Sequence, residues 1–242
     1  MTPASYLICA TPRSGSTLLC DLLTATGAAG RPASYYRRQS IPRWGERLGV
    51  LPGDDRAYLG AVLTEGRGGT GLFGMRLMWE TLSELIARLA GLYPTVIGDR
   101  ASLEAAFGPI AFIHLSRADK VAQAVSRVKA LQSGLWHMGA DGTERERGAA
   151  EAPQGYDPML IRQFVDELEA DERGWANWFA TEAITPLELT YDDLSANPAA
   201  TARQMLLALN LDPSIADGIA PRTGRMADAQ SAEWITRFRS EN

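Results

Sequence analysis

The chain has 242 residues, 45% of them hydrophobic, which is enough to bury a sizeable core and points to a single domain spanning 1–242. Its net charge of −5 argues against a general nucleic-acid binder, because phosphate backbones select basic faces, so any anion site must be local. Two cysteines, Cys9 and Cys20, sit in apolar runs, only two histidines occur, and no run approaches a membrane span; this excludes a disulfide framework and a structural metal centre, and implies no transmembrane segment and a cytoplasmic location.

In chain order, "SYLICA" (5–10) is a near-continuous apolar run of the kind that forms a central parallel strand buried on both faces. A loop, "TPRSGSTLL" (11–19), follows at once and runs into a helix that starts at Ser16 or Thr17, carries Leu18, Leu19, Leu22 and Leu23, and stops near Gly27. Residues 28–53 look irregular. "LFGMRL" (72–77), "IAFIHL" (110–115) and "PLELTY" (186–191) are further strands, and helical periodicity covers 79–91, 118–136, 157–182, 198–209 and 231–239, with a second irregular stretch at 137–156. This alternation predicts an α/β three-layer sandwich with a mostly parallel central sheet. The motif "GRGGTG" (66–71) matches a dinucleotide fingerprint but follows a helical pattern and precedes a strand, the reverse of what that chemistry needs, so it reads as a turn.

The loop at 11–19 has the physics of an anion site. A strand, a tight turn and a helix start bring backbone N–H groups together, Ser14, Ser16 and Thr17 add hydroxyl donors, Gly15 permits the turn, and Arg13 supplies fixed charge. The first glycine and the lysine of the triphosphatase loop are both missing. The plainer reading is that these serines merely cap a helix.

"TPRSGSTLL" resembles the loop that binds the 5′-phosphosulfate of PAPS (3′-phosphoadenosine 5′-phosphosulfate) in sulfotransferases. The stretches "GMRLMW" (74–79), "FIHLSRADKVAQAVSRVKALQSGLW" (112–136), "RGWANWF" (173–179) and "SAEWITRF" (231–238) are similar to bacterial carbohydrate sulfotransferases of the trehalose 2-sulfotransferase type. The resemblance implies a P-loop NTPase-like sulfotransferase fold, PAPS as donor with PAP as product, and in-line transfer without a metal to a carbohydrate or glycolipid. It implies Arg13 as the catalytic charge and Arg117 and Ser126 as holders of the 3′-phosphate. Related enzymes also form homodimers. The alternatives are a non-catalytic PAP- or nucleotide-binding protein and a P-loop kinase, which would need the missing lysine.

Acceptor contacts are expected from the loops 28–53 and 137–156. Residues 31–47 hold five arginines and one glutamate, a local charge of +4 against −9 for the remainder. That imbalance suggests attraction of an anion, with Arg31, Ser34, Tyr35 and Tyr36 as substrate-binding residues and the aromatics stacking on a sugar. Relatives carry glutamates in this segment, one of them proposed as the base. Here the positions are Arg31 and Ser34, which leaves the base unassigned and favours an acceptor bearing phosphate or carboxylate.

Overall fold

The computed structural model describes residues 3–138, 143–148, 150, 153–219 and 228–241. The elements run β1 Ser5–Ala10, α1 Ser16–Ala25, α2 Ile41–Leu48, α3 Asp55–Arg67, β2 Phe73–Met78, α4 Trp79–Leu92, α5 Asp99–Phe107, β3 Ile110–Ser116, α6 Lys120–Ser133, β4 Leu135–Met138 and β5 Glu144–Arg147. They continue with α7 Pro158–Thr181, β6 Leu187–Thr190, α8 Tyr191–Ala196, α9 Pro198–Ala208 and α10 Ala229–Glu241. Four strands form a parallel sheet in the order β2-β1-β3-β6, while β4 and β5 make a separate antiparallel pair.

β1 is central, and all six of its residues are buried. Because side chains alternate along a strand, Leu7 and Cys9 enter one core and Tyr6, Ile8 and Ala10 the other. The first core is closed by α3, α4, α5 and α7, through residues such as Val62, Leu85, Phe107 and Trp175. The second is closed by α1 and α9, through Leu19, Leu22, Leu23 and Met205. The predicted three-layer α/β sandwich is therefore present, and it explains why the strands read as apolar runs rather than alternating ones. Both cysteines are buried free thiols in these cores, and burial pushes the Cys20 thiol up to about 11.

Three details matter for the site. The segment at 28–53 is not wholly irregular, since α2 lies within it, and an isolated parallel bridge between Ala33 and Met75 fastens it beside β2. The "GRGGTG" stretch begins in the last turn of α3, where Gly68 takes φ 55 as the left-handed cap and leads toward β2, as expected of a turn. α6 stops at Ser133, short of the predicted residue 136, because Gly134 turns left-handed at φ 69 and sends the chain into β4. Residues 139–142, 149, 151 and 152 of the 137–156 segment lie outside the described residues. Among the described residues no helix is long and apolar enough to cross a membrane.

Candidate active site

β1 delivers the loop 11–15 at the C-terminal edge of the sheet, where open α/β folds bind ligands. Arg13 at φ 65 and Gly15 at φ 86 are both left-handed and flank Ser14, an alternation of hand that turns successive backbone N–H groups to one side. For Gly15 the reason is also steric: a Cβ there would lie 2.7 Å from the Tyr191 ring. Arg13 carries a side chain in this region at a cost on the order of 1 kcal/mol, the kind of strain that collects at functional sites. No side chain caps α1. The helix-cap reading of the serines therefore fails, and the N-terminus of α1, the end that favours negative charge, opens at this turn. Ser14 Oγ is fully buried with no hydrogen-bond partner among the described residues, an unsatisfied group in the same turn.

The two arginines selected from sequence converge. Arg13 Nε donates to Ser126 Oγ at 3.0 Å, and its Nη1 donates to the Trp136 carbonyl. Arg117 Nη1 donates to the Arg13 carbonyl at 3.3 Å, and its guanidinium lies 4.2 Å from the centre of the Tyr191 ring. Tyr191 thus packs against Gly15 on one side and Arg117 on the other, holding both arms in place. Arg13, Gly15, Ser16, Thr17, Arg117 and Ser126 all line one cleft of roughly 1040 Å³. Its walls also include Arg76, Tyr191 and Ser195.

A buried polar network sets the base of both arms. Glu172 of α7 accepts from Lys120 Nζ at 2.9 Å and from Thr11 Oγ1 at 3.3 Å, and pairs with His114 Nε2 at 3.1 Å. Lys120 donates onward to the Arg117 carbonyl at 2.6 Å, while Gln123 Nε2 donates to Thr11 Oγ1 at 2.8 Å and the Pro12 carbonyl at 2.7 Å. Burial works against a charged His114, but the hydrogen bonds and negative charges of Glu172 and of Glu188, 2.8 Å from Nδ1, outweigh it and raise its pKa. Burial likewise opposes the Glu172 charge, yet hydrogen bonds from His114 and Lys120 hold its pKa below the ordinary glutamate value.

The His114 contribution is complete below the ordinary imidazole value and disappears as pH rises through the raised one; the Glu172 contribution is present above the ordinary glutamate value and disappears as pH falls through the lowered one. Urea melts at pH rising from the ordinary imidazole value of 6.5 are expected to show wild type losing stability that a His114→Gln variant does not lose. Parallel pH dependence in the two proteins would remove His114 from the network's energetics.

The family model described as Stf0 sulphotransferase matches residues 5–241. The chain belongs to the Stf0 sulfotransferase family. It is 35% identical over 264 residues to the trehalose 2-sulfotransferase of Mycobacterium tuberculosis (strain Erdman), covering 98% of this chain and 94% of that one. It is 31% identical over 265 residues to the trehalose 2-sulfotransferase of Mycolicibacterium smegmatis, covering 99% and 96%. A solved sulfotransferase from Alicyclobacillus acidocaldarius aligns over all of this chain and 92% of its own at TM-score 0.45 and 15% identity, too distant to add to the argument.

The segment expected to hold the acceptor of this sulfotransferase differs from its sequence-based picture. Tyr35 and Tyr36 do not offer faces to a sugar: they are 1% and 4% exposed. Tyr35 packs on Trp44 and Phe73, and Tyr36 packs edge-on to Tyr58 and Phe107. Burial pushes both phenols above their ordinary range. The physical reason is α3, whose Tyr58 hydroxyl donates to the Tyr35 carbonyl at 2.6 Å and clamps the segment into the core. Arg31 does not line the cleft either; it lies 3.9 Å from Glu65 on the exposed surface. Arg38 and Arg47 also pair with carboxylates, Glu84 and Glu65.

Of the predicted acceptor residues, Ser34 does line the cleft, and Arg37 from the same basic stretch joins it. The residue that sequence reasoning missed is Arg76. Its Nε donates to Ser34 Oγ at 2.8 Å, its Nη1 donates to Thr17 Oγ1 at 2.5 Å, and no carboxylate pairs with it among the described residues. It was detectable as an arginine inside an otherwise apolar strand, where a charge needs a reason. Tyr191, at the end of β6, is the second missed residue.

Proposed function

We propose that this sulfotransferase moves the sulfuryl group of PAPS to a hydroxyl of a carbohydrate or glycolipid, releasing PAP. The observation that carries the reading is the meeting of the 11–17 loop with Arg117 and Ser126 in one cleft. A bisphosphorylated nucleotide needs two separated anion sites, and a serine hydroxyl beside an arginine fork suits the second phosphate. The loop N–H groups, Ser16, Thr17 and Arg13 would receive the 5′-phosphosulfate, and Arg117 with Ser126 the 3′-phosphate.

Charge grows on the bridging oxygen and 5′-phosphate as the sulfur–oxygen bond breaks. Arg13 and the preorganised N–H groups stabilise that charge without reorganisation, the effect that usually contributes most. The relatives are named for trehalose. Carbohydrate is therefore the acceptor class we adopt, with Arg37, Arg76 and Ser34 favouring a sugar that bears phosphate or carboxylate.

The test is a labelled-sulfate transfer assay from PAPS to a panel that includes trehalose, anionic sugars and cell-envelope glycolipids. We expect a labelled product, and faster labelling of anionic members. Equal labelling of neutral and anionic sugars contradicts the charge preference. PAP binding with no transfer to any member contradicts the enzymatic reading.

A further inference from the structure

The transfer needs a group to take the acceptor's proton, and the cleft holds few candidates. Its described lining contains three carboxylates, Glu80, Glu167 and Asp228. Asp228 is held by Lys129 Nζ at 2.5 and 2.6 Å and accepts from Ser231, so its lone pairs are engaged and its pKa is lowered to about 2. Glu167 pairs with Arg127 at 2.9 Å and accepts from Gln163 at 2.8 Å. Both carboxylates already have their oxygens engaged by these cations and donors. Glu80 is exposed in the first turn of α4, with no hydrogen-bond or ion-pair partner among the described residues.

Its position also fits. The β1–β2 register pairs Ala10 with Met78, so Glu80, two residues beyond the end of β2, stands at the same sheet edge where Thr11–Arg13 leave β1. Four residues earlier, on β2, Arg76 donates to both Thr17 of the 11–19 loop and Ser34. The start of α4 is held rigidly. Trp79 packs edge-on to Trp175 with ring centres 5.2 Å apart, and a Cβ on Gly174 would sit 2.3 Å from the Trp79 ring, so α7 lies directly against it.

We propose that Glu80 is the general base of the transfer, an inference that rests on the PAPS-dependent reading above. A Glu80 carboxylate oxygen takes the acceptor hydroxyl's proton as the acceptor oxygen–sulfur bond forms. The bond from sulfur to the bridging oxygen breaks, and its electron pair leaves on the 5′-phosphate of PAP beside Arg13. Asp171 of α7 supports the arrangement. Burial first and the Glu80 charge second lift its pKa to about 6, with Arg127 pulling the other way and Glu167 and Glu172 adding to the rise. A proton arriving on Glu80 relieves part of that crowding of negative charge.

The test measures PAP binding by calorimetry and PAPS turnover both with the best acceptor of the panel and without acceptor, where water is the sulfuryl acceptor. Glu80→Gln is expected to lower kcat at least about 100-fold and to flatten the acid limb of the pH–rate profile, with PAP affinity within about threefold of wild type. Formate added to Glu80→Ala should restore part of the rate. A Glu80→Gln rate within about threefold of wild type, at unchanged PAP affinity, overturns the base assignment alone. A wild-type protein that binds no PAP overturns the donor reading and this assignment with it. One that binds PAP but turns over no PAPS, with or without acceptor, overturns the assignment while the nucleotide site stands.

Discussion

Replacing Arg13 with alanine is expected to lower kcat by about 100-fold or more, roughly 3 kcal/mol of transition-state stabilisation, while PAP affinity falls less than about tenfold. The asymmetry arises because charge on the bridging oxygen is larger in the transition state than in bound PAPS, so the lost cation matters most there. Alanine also keeps the backbone comparison fair. Arg13 sits at φ 65, and alanine meets the same left-handed strain, so the loop is neither relaxed nor newly burdened. The lost contacts to Ser126 and the Trp136 carbonyl loosen α6 against the loop, which accounts for the modest change in affinity. Steady-state rates beside calorimetric PAP titrations separate the two constants, and an unchanged kcat would remove Arg13 from the chemistry.

Arg117→Ala is expected to do the reverse. Its guanidinium donates to the Arg13 carbonyl and lies over the Tyr191 ring; on the proposed reading it holds the 3′-phosphate, which does not react, so its removal should weaken ground state and transition state alike. A charge-assisted contact of about 2–3 kcal/mol corresponds to a PAP Kd raised roughly 30- to 150-fold, with kcat at saturating PAPS within about fivefold. Comparing PAP with adenosine 5′-phosphate makes the assignment specific. Wild type should prefer PAP strongly, and the variant should lose most of that preference. A variant that weakens both nucleotides equally would mean that Arg117 supports the loop instead of the 3′-phosphate.

Much of this was legible in the sequence because the sheet is parallel and doubly covered. Its strands are mostly apolar, with Arg76, His114 and Glu188 as exceptions, and each of the four strand predictions falls within one residue of an observed boundary at its start. The strand–turn–helix form of the 11–19 stretch was legible for the same reason, since it follows β1 directly. What escaped was placement between segments distant in the chain. The helices α2, α3, α5 and α8 were not delimited; α5 is nine residues and α8 six, too short for a clear period.

The basic stretch at 31–47 misled because composition does not say where a side chain points. Tyr35 and Tyr36 have the chemistry of a sugar platform, yet the Ala33–Met75 bridge and α3 turn them into core. Arg31, Arg38 and Arg47 answer surface carboxylates, while Arg37 from this stretch and the unforeseen Arg76 line the cleft. The Glu172 network was invisible for another reason: it joins Thr11, His114, Lys120 and Glu172 from four separate elements, and no local pattern records that.

A crystal structure with PAP bound tests the central claim most directly. The account predicts one nucleotide lying across the cleft, its 5′-phosphate on the N–H groups of residues 13–17 and its 3′-phosphate between Arg117 and Ser126. A nucleotide held by only one of these arms, or bound in a different cavity, would contradict it.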